Sequence, residues 1–210
     1  MKTARVSAKH FGWLLLAVFG LVGCASPGNL NEKSSARIQP GMAEAVVHKI
    51  FGVPRRSELG ANGRKLEMFG TVHHRPTVNS SFGDSSGVLE VRALHVLYDR
   101  EGRVMRTAYS VGDSPYRYAL LRPGWYEGTS GSRIPRSTLE QIQKGVTTRA
   151  ELVRLCGKPT IIGFDVEANT THSWLFVHDR KSGFLRVQEF LVLLDEDAVV
   201  ADFILRDSLF

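Results

Sequence analysis

Among seven histidines and two cysteines in this 210-residue chain, the spacing decides which chemistry is open. Adjacent His73 and His74, with His172 and His178, offer imidazoles of the kind that ligate zinc, but no HExxH and no pair of neighbouring cysteines accompanies them. His172 and His178 are six residues apart, which on a strand places both on one face but about 20 Å from each other. They cannot share an ion without a bend between them, so no metal is expected. Cys156 as a nucleophile would need a lowered pKa and a nearby base. It falls instead at the apolar end of a predicted helix, just before a glycine, where a small buried hydrophobe is the common occupant. The chain is read as carrying no i, i+4 pair of ligands on a helix and no G-x-S-x-G, P-loop or dinucleotide fingerprint. The chain reads as a non-enzyme with no cofactor and no small-molecule substrate.

Cys24 is the cysteine with a reason for its place. It ends Leu21-Val22-Gly23-Cys24, behind an apolar run from Trp13 to Val22 and the basic residues Lys2, Arg5 and Lys9. A short basic stretch, about ten apolar residues and small residues at the exit form a secretory signal, too short to span a bilayer as a helix. The last four residues resemble the bacterial lipobox, whose cysteine receives a diacylglycerol on its sulfur and becomes the acylated mature N-terminus. The other readings are an ordinary signal with a coincidental cysteine, or an uncleaved anchor. On the lipobox reading residues 1–23 are the signal peptide, 24–30 a lipidated tether, and acyl chains such as palmitate hold the protein on its membrane; two or more chains anchor stably where one does not. Ala25 follows the cysteine, not the aspartate that tends to retain such lipoproteins at the inner membrane. The expected address is therefore the outer membrane, facing the periplasm.

Loss of residues 1–23 removes Lys2, Arg5 and Lys9 and no acids, so the net charge falls from +6 to +3. That is not the signature of a nucleic-acid binder. Scattered Lys and Arg read as a solvated surface more than as a bilayer-facing one. With Cys24 acylated only Cys156 remains, so no internal disulfide is available.

The rest of the chain contains echoes. Ile38-Gln39-Pro40-Gly41-Met42 matches Ile142-Gln143-Lys144-Gly145-Val146, Phe51-Gly52-Val53-Pro54 matches Cys156-Gly157-Lys158-Pro159, and His95-Val96-Leu97-Tyr98-Asp99 resembles Leu191-Val192-Leu193-Leu194-Asp195. Thr148 and Glu151 have capping-box spacing ahead of Leu152, Leu155 and Cys156, and Gly157 with Pro159 stops the predicted helix. Gly52 and Pro54 stop the earlier helix in the same way, but Ala43 stands where Thr148 does, so that helix is the less well capped. Shorter helices are expected from Ser137, which is spaced to cap with Glu140, and more weakly over Asn31 to Ile38. Strands are expected at Lys65–His73, Val88–Asp99, Arg103–Ser110, Thr160–Phe164, His172–His178, Arg186–Asp195 and Val199–Leu205, with tight turns at Asp99–Gly102 and Asp195–Ala198.

This pattern predicts an α+β fold of two tandem repeats, each two short helices packed on an antiparallel β-meander. The first repeat spans 31–111 and the second 137–210. The near-continuous apolar runs Leu94–Tyr98 and Phe190–Leu194 read as strands covered on both faces, by packing between the repeats or by a partner, with internal packing favoured. Residues 112–136, rich in Gly, Pro and Ser, read as a linker. Its Tyr116, Tyr118, Trp125 and Tyr126 either tuck into the junction or meet a partner. The stretch Asn79–Gly87 reads as disordered.

Taken together, Ile38, Gly41, Met42, Phe51, Gly52, Pro54, Tyr98, Asp99, Gly102 and Val104 resemble the SmpA/OmlA domain of the outer-membrane assembly lipoprotein BamE, a fold shared by the tandem beta-lactamase inhibitory proteins. Ile142, Gly145, Gly157, Pro159, Asp195 and Val200 repeat the pattern, with Ala198 in place of the turn glycine. The resemblance implies a lipid-anchored, non-catalytic binding or scaffold factor that contacts another envelope protein, in outer-membrane protein assembly or envelope integrity. The alternative it carries is a periplasmic enzyme inhibitor or sensor of the beta-lactamase-inhibitory-protein type.

Overall fold

Two short helices end at glycines whose positive φ no side chain favours: α2 (Glu44–Phe51) at Gly52 and α4 (Arg149–Cys156) at Gly157, with φ of 77° and 78°. The computed structural model describes residues 30–79, 85–122, 125–180 and 184–209. Two further one-turn helices, α1 (Glu32–Ser35) and α3 (Arg136–Leu139), precede them. Among the described residues the remaining regular structure is strand: β1 (Arg56–Leu59), β2 (Lys65–Asn79), β3 (Ser85–Tyr98), β4 (Val104–Arg122), β5 (Trp125–Ser130), β6 (Ile161–Phe164), β7 (Thr170–Arg180), β8 (Phe184–Leu194) and β9 (Val200–Leu209).

The expected α+β class is corrected here. Among the described residues strands hold 55% and helices 15%, so the protein is mostly β, built on one curled antiparallel half-barrel sheet and not on two helix-covered meanders. The order along the sheet is β1-β2-β3-β4-β5-β7-β8-β9, with β6 paired to β7 beside β5. The physical reason lies in the segment read as a linker. Residues 112–122 continue β4, and β5 pairs with β4 on one edge and with β7 on the other, Glu127–Ser130 against Val177–Arg180. Backbone hydrogen bonding along that stretch joins what would otherwise be two sheets. Pro115 lies opposite Val88 in the β3–β4 ladder, and its carbonyl accepts from Gly131 N just past the end of β5.

Main-chain bonds recur in each half. Gly41 N donates to Val104 O and Gly145 N to Val200 O; Glu44 N donates to Gly102 O and Arg149 N to Ala198 O. A bulge interrupts β3–β4 beside Tyr98 and another interrupts β8–β9 beside Leu194. The helices cover one face of the sheet, where Val47, Phe51, Phe69, Leu94, Val96 and Tyr98 form one core and Leu152, Cys156, Trp174, Phe190, Val192 and Leu194 another.

The second face is covered from within, as the apolar runs required. β6 crosses the sheet of the first half, and its Phe164 packs with Leu66 and Leu97 in a third core. Contact there is close: a Cβ on Gly112 would lie 2.0 Å from Thr160 O, and one on Gly163 2.4 Å from the His95 ring. Ile162 N donates to Ser110 Oγ, and Arg106 donates to Ala168 O while stacking over Phe164. Residues 93–98 and 187–194 are consequently buried without a break.

Candidate functional site

The residues singled out in the sequence do not converge. Cys24, the signal at 1–23 and the tether before Leu30 lie outside the described residues, as do 80–84 of the stretch read as disordered; Asn79 and Ser85–Gly87, which flank them, are strand. Tyr116 and Tyr118 are half-buried on β4. Tyr116 stacks on His74 at 4.6 Å and lies over Gly87. Trp125 and Tyr126 occupy β5, in register with Arg122 and Leu120. On β7, His172 is buried and His178 bonds Glu127 at 2.6 Å. Cys156 is buried in the core under α4, where burial pushes its thiol up to about 11 and disfavours the thiolate. Gly83-Asp84-Ser85-Ser86-Gly87 spells the G-x-S-x-G pattern, which the sequence reading passed over. Ser85 nevertheless opens a strand of a β-hairpin, where a nucleophile elbow needs a strand leading into a helix, and its hydroxyl points to Tyr116 Oη.

A different set of side chains does converge, beneath α2. Glu44 opens that helix, where a carboxylate suits the positive end of the dipole, and His48 follows one turn later on the same side. Lys65 and Glu67 lie two apart on β2 and so share the face that α2 covers. Strand register sets Lys65 opposite Tyr98 and Glu67 opposite Val96. Lys65 Nζ donates to Glu44 Oε1 and Glu67 Oε1, both at 2.7 Å, and His48 Nε2 lies 2.7 Å from Glu67 Oε2 and 3.8 Å from Glu44 Oε1. The Glu67 side chain is only 1% exposed. A carboxylate so deeply placed is tolerable because both its oxygens are bonded to donors.

Electrostatics keep the group intact. Burial alone would lower the Lys65 pKa, but bonds to Glu44 and Glu67 outweigh it and raise the value, which retains the ammonium. Tyr98 is fully buried on the same face, and its hydroxyl lies beside Glu67 without a hydrogen bond of normal geometry. Burial first, and then the charge of Glu67 and the closeness of its carboxylate to the hydroxyl, raise its pKa and leave it a neutral donor beside the cluster. Among the described residues, Glu44, His48 and Glu67 form a group whose ligand atoms all lie within 4.8 Å of one another.

The other half holds different chemistry at the same places. Lys65–Tyr98–Val104 and Thr170–Leu194–Val200 are equivalent rungs of the two ladders, which puts His172 where Glu67 stands. Arg149 then takes the place of Glu44, and Val153 that of His48. Both ring nitrogens of His172 are buried without partners, and burial, helped by Arg149, lowers its pKa to about 4. Sequence reasoning centred on His73, His74, His172 and His178. It missed the cluster although Glu44 and His48 carried the i, i+4 helix signal; the strand partners Lys65 and Glu67 come into reach only through tertiary packing.

No protein-family model, no curated protein and no solved structure matches the chain.

Proposed function

We propose that the chain is a lipid-anchored protein of the bacterial envelope, held at the outer membrane by acyl chains on Cys24 and facing the periplasm, where it acts as a non-catalytic binding or scaffold factor for another envelope protein. The observation that carries this reading is Leu21-Val22-Gly23-Cys24, placed just ahead of a folded body. Leu30 is already buried, and its carbonyl accepts from Arg92 on β3 at 3.2 Å. Fully extended, Ala25 to Leu30 reaches about 20 Å, so the anchor would keep the sheet close to the bilayer. The place in outer-membrane protein assembly rests on the SmpA/OmlA resemblance of Ile38–Met42 and Phe51–Pro54. A protonated Cys156 and a G-x-S-x-G serine on a hairpin favour binding over catalysis. Tyr116 and Tyr118, partly exposed on the longest strand, are the first contacts to substitute.

The test is detergent phase partition of the native protein with mass analysis of its N-terminal peptide, beside a Cys24→Ala variant. Acylated Cys24 in the detergent phase and a shift of the variant to the aqueous phase are expected. An unacylated native chain in the aqueous phase would end the anchoring claim. Cross-linking of the acylated protein in envelopes should then recover a membrane protein; recovery of a soluble enzyme by both forms would replace the scaffold reading with the inhibitor one.

A further inference from the structure

The cluster under α2 has the donor set of a transition-metal site. One imidazole and two carboxylates suit a borderline cation such as Zn2+; calcium and magnesium prefer oxygen alone, and Cu(I) wants sulfur. Zinc at about 2.1 Å from each donor would set the donors about 3.4 Å apart. The distances from His48 Nε2 to Glu67 Oε2 and Glu44 Oε1, 2.7 and 3.8 Å, bracket that value, so small side-chain adjustments suffice. Two of the three donors stand on one side of α2, and the third on β2, which is paired on both sides there, with Ser57 of β1 and Val96 of β3, and so held in place. A further polar atom lies beside the group: the Tyr98 hydroxyl is fully buried next to Glu67 and makes no hydrogen bond of normal geometry, so a bound ion or its water would complete its bonding.

We propose that Glu44, His48 and Glu67 form a Zn2+ site for which the Lys65 ammonium is the built-in competitor, and that Tyr98 supports the bound state by donating to the ligating Glu67 carboxylate or to a zinc-bound water. Lys65 bonds the same two carboxylates at 2.7 Å, and its side chain is 30% exposed, so it can swing into solvent. The exchange replaces one positive charge by two between two carboxylates. The second half cannot do this, since Arg149, Val153 and His172 stand at the equivalent places.

The experiment is titration of the chelator-stripped full-length protein in detergent with Zn2+ against a chromophoric chelator, followed by Co2+ absorption. One ion per chain and Co2+ bands of a four-coordinate site are expected. Glu44→Gln and His48→Gln should each weaken binding at least about tenfold, and Tyr98→Phe about tenfold. Lys65→Met should tighten it about tenfold or more, because a competing charge is gone. Glu44 is partly exposed at a helix start, so Glu44→Gln tests the site even where a Glu67 variant fails to fold. A His73→Ala/His74→Ala double variant should leave the affinity unchanged. The proposal is overturned by no stoichiometric Zn2+ binding, by binding that His73 and His74 carry, or by a Lys65→Met variant that binds no more tightly than the parent.

Discussion

The two halves of the sheet share a main-chain frame and differ in what they bury beneath their longer helices. Each frame is tied by the same bonds, Gly41 N to Val104 O in one and Gly145 N to Val200 O in the other. Under α2 the first half places two carboxylates, an ammonium and an imidazole, closed off by Tyr98. Under α4 the second half places Trp174, Leu194 and a neutral His172, with Trp174 Nε1 bonded to Gly157 O. A frame held by backbone bonds leaves its side chains free to diverge. Among the described residues only the first half buries a carboxylate beneath its helix, while the second keeps its Glu189–Arg206 pair on the other face, so the first is where specialised chemistry is to be sought.

The comparison breaks most severely where the halves touch. Gly112→Ala puts a methyl 2.0 Å from the Thr160 carbonyl, backbone against backbone, and should cost more than about 4 kcal/mol in urea unfolding. Gly145→Ala, with open space but φ of 73°, should cost only about 1–2 kcal/mol. Equal midpoints for the two variants would mean that β6 does not pack on β4 as described. Next, Glu67→Gln removes the charge that Lys65 and His48 share and should cost about 3 kcal/mol; a loss under 1 kcal/mol would show that the cluster is no more strained or supported than the apolar half.

Acid should act on both halves through one buried histidine each. His95, buried against Gly163 and near Arg56, and His172 both have pKa values lowered from 6.5 to about 4, by burial first. Between those values the unfolded chain binds the protons and the folded one does not, so stability falls as pH drops from about 6.5 towards 4. The expected loss is about 2 kcal/mol per histidine at pH 5, and His172→Leu should remove about half of the slope. An unchanged slope in that variant would contradict the burial of His172. The smallest effect is at the turns: Ala198 holds φ of 58° where Gly102 holds 71°. Ala198→Gly should gain about 1 kcal/mol and Gly102→Ala lose about as much, read from thermal midpoints; matching changes of opposite sign would confirm that the two turns are equivalent.

Local signals were legible in the sequence where local chemistry decides. Gly52, Gly157 and the Thr148–Glu151 capping box stand as read, and α2 indeed starts at Ala43 without a side-chain cap. Two caps went the other way. Ser137 falls inside α3, whose N-cap is Pro135 without a side-chain bond, while the segment judged weaker is closed by a reciprocal Asn31–Ser34 box. Residues 112–122 and 125–130 of the expected linker 112–136 are strand instead, because only pairing on both edges of β5, which is tertiary, overrides a Gly, Pro and Ser composition common in linkers. The same limit hid β1 and the reach from α2 to Glu67.

The join between the halves also governs how the chain can be made. β5 finds its second neighbour, β7, only after α3, α4 and β6 have intervened, and the ladder between them is just Glu127–Ser130 against Val177–Arg180. A growing polypeptide that has exposed β5 but not yet β7 presents a bare strand edge, and Leu97 and Leu66 still lack Phe164. Such an intermediate is the form most in need of a holdase.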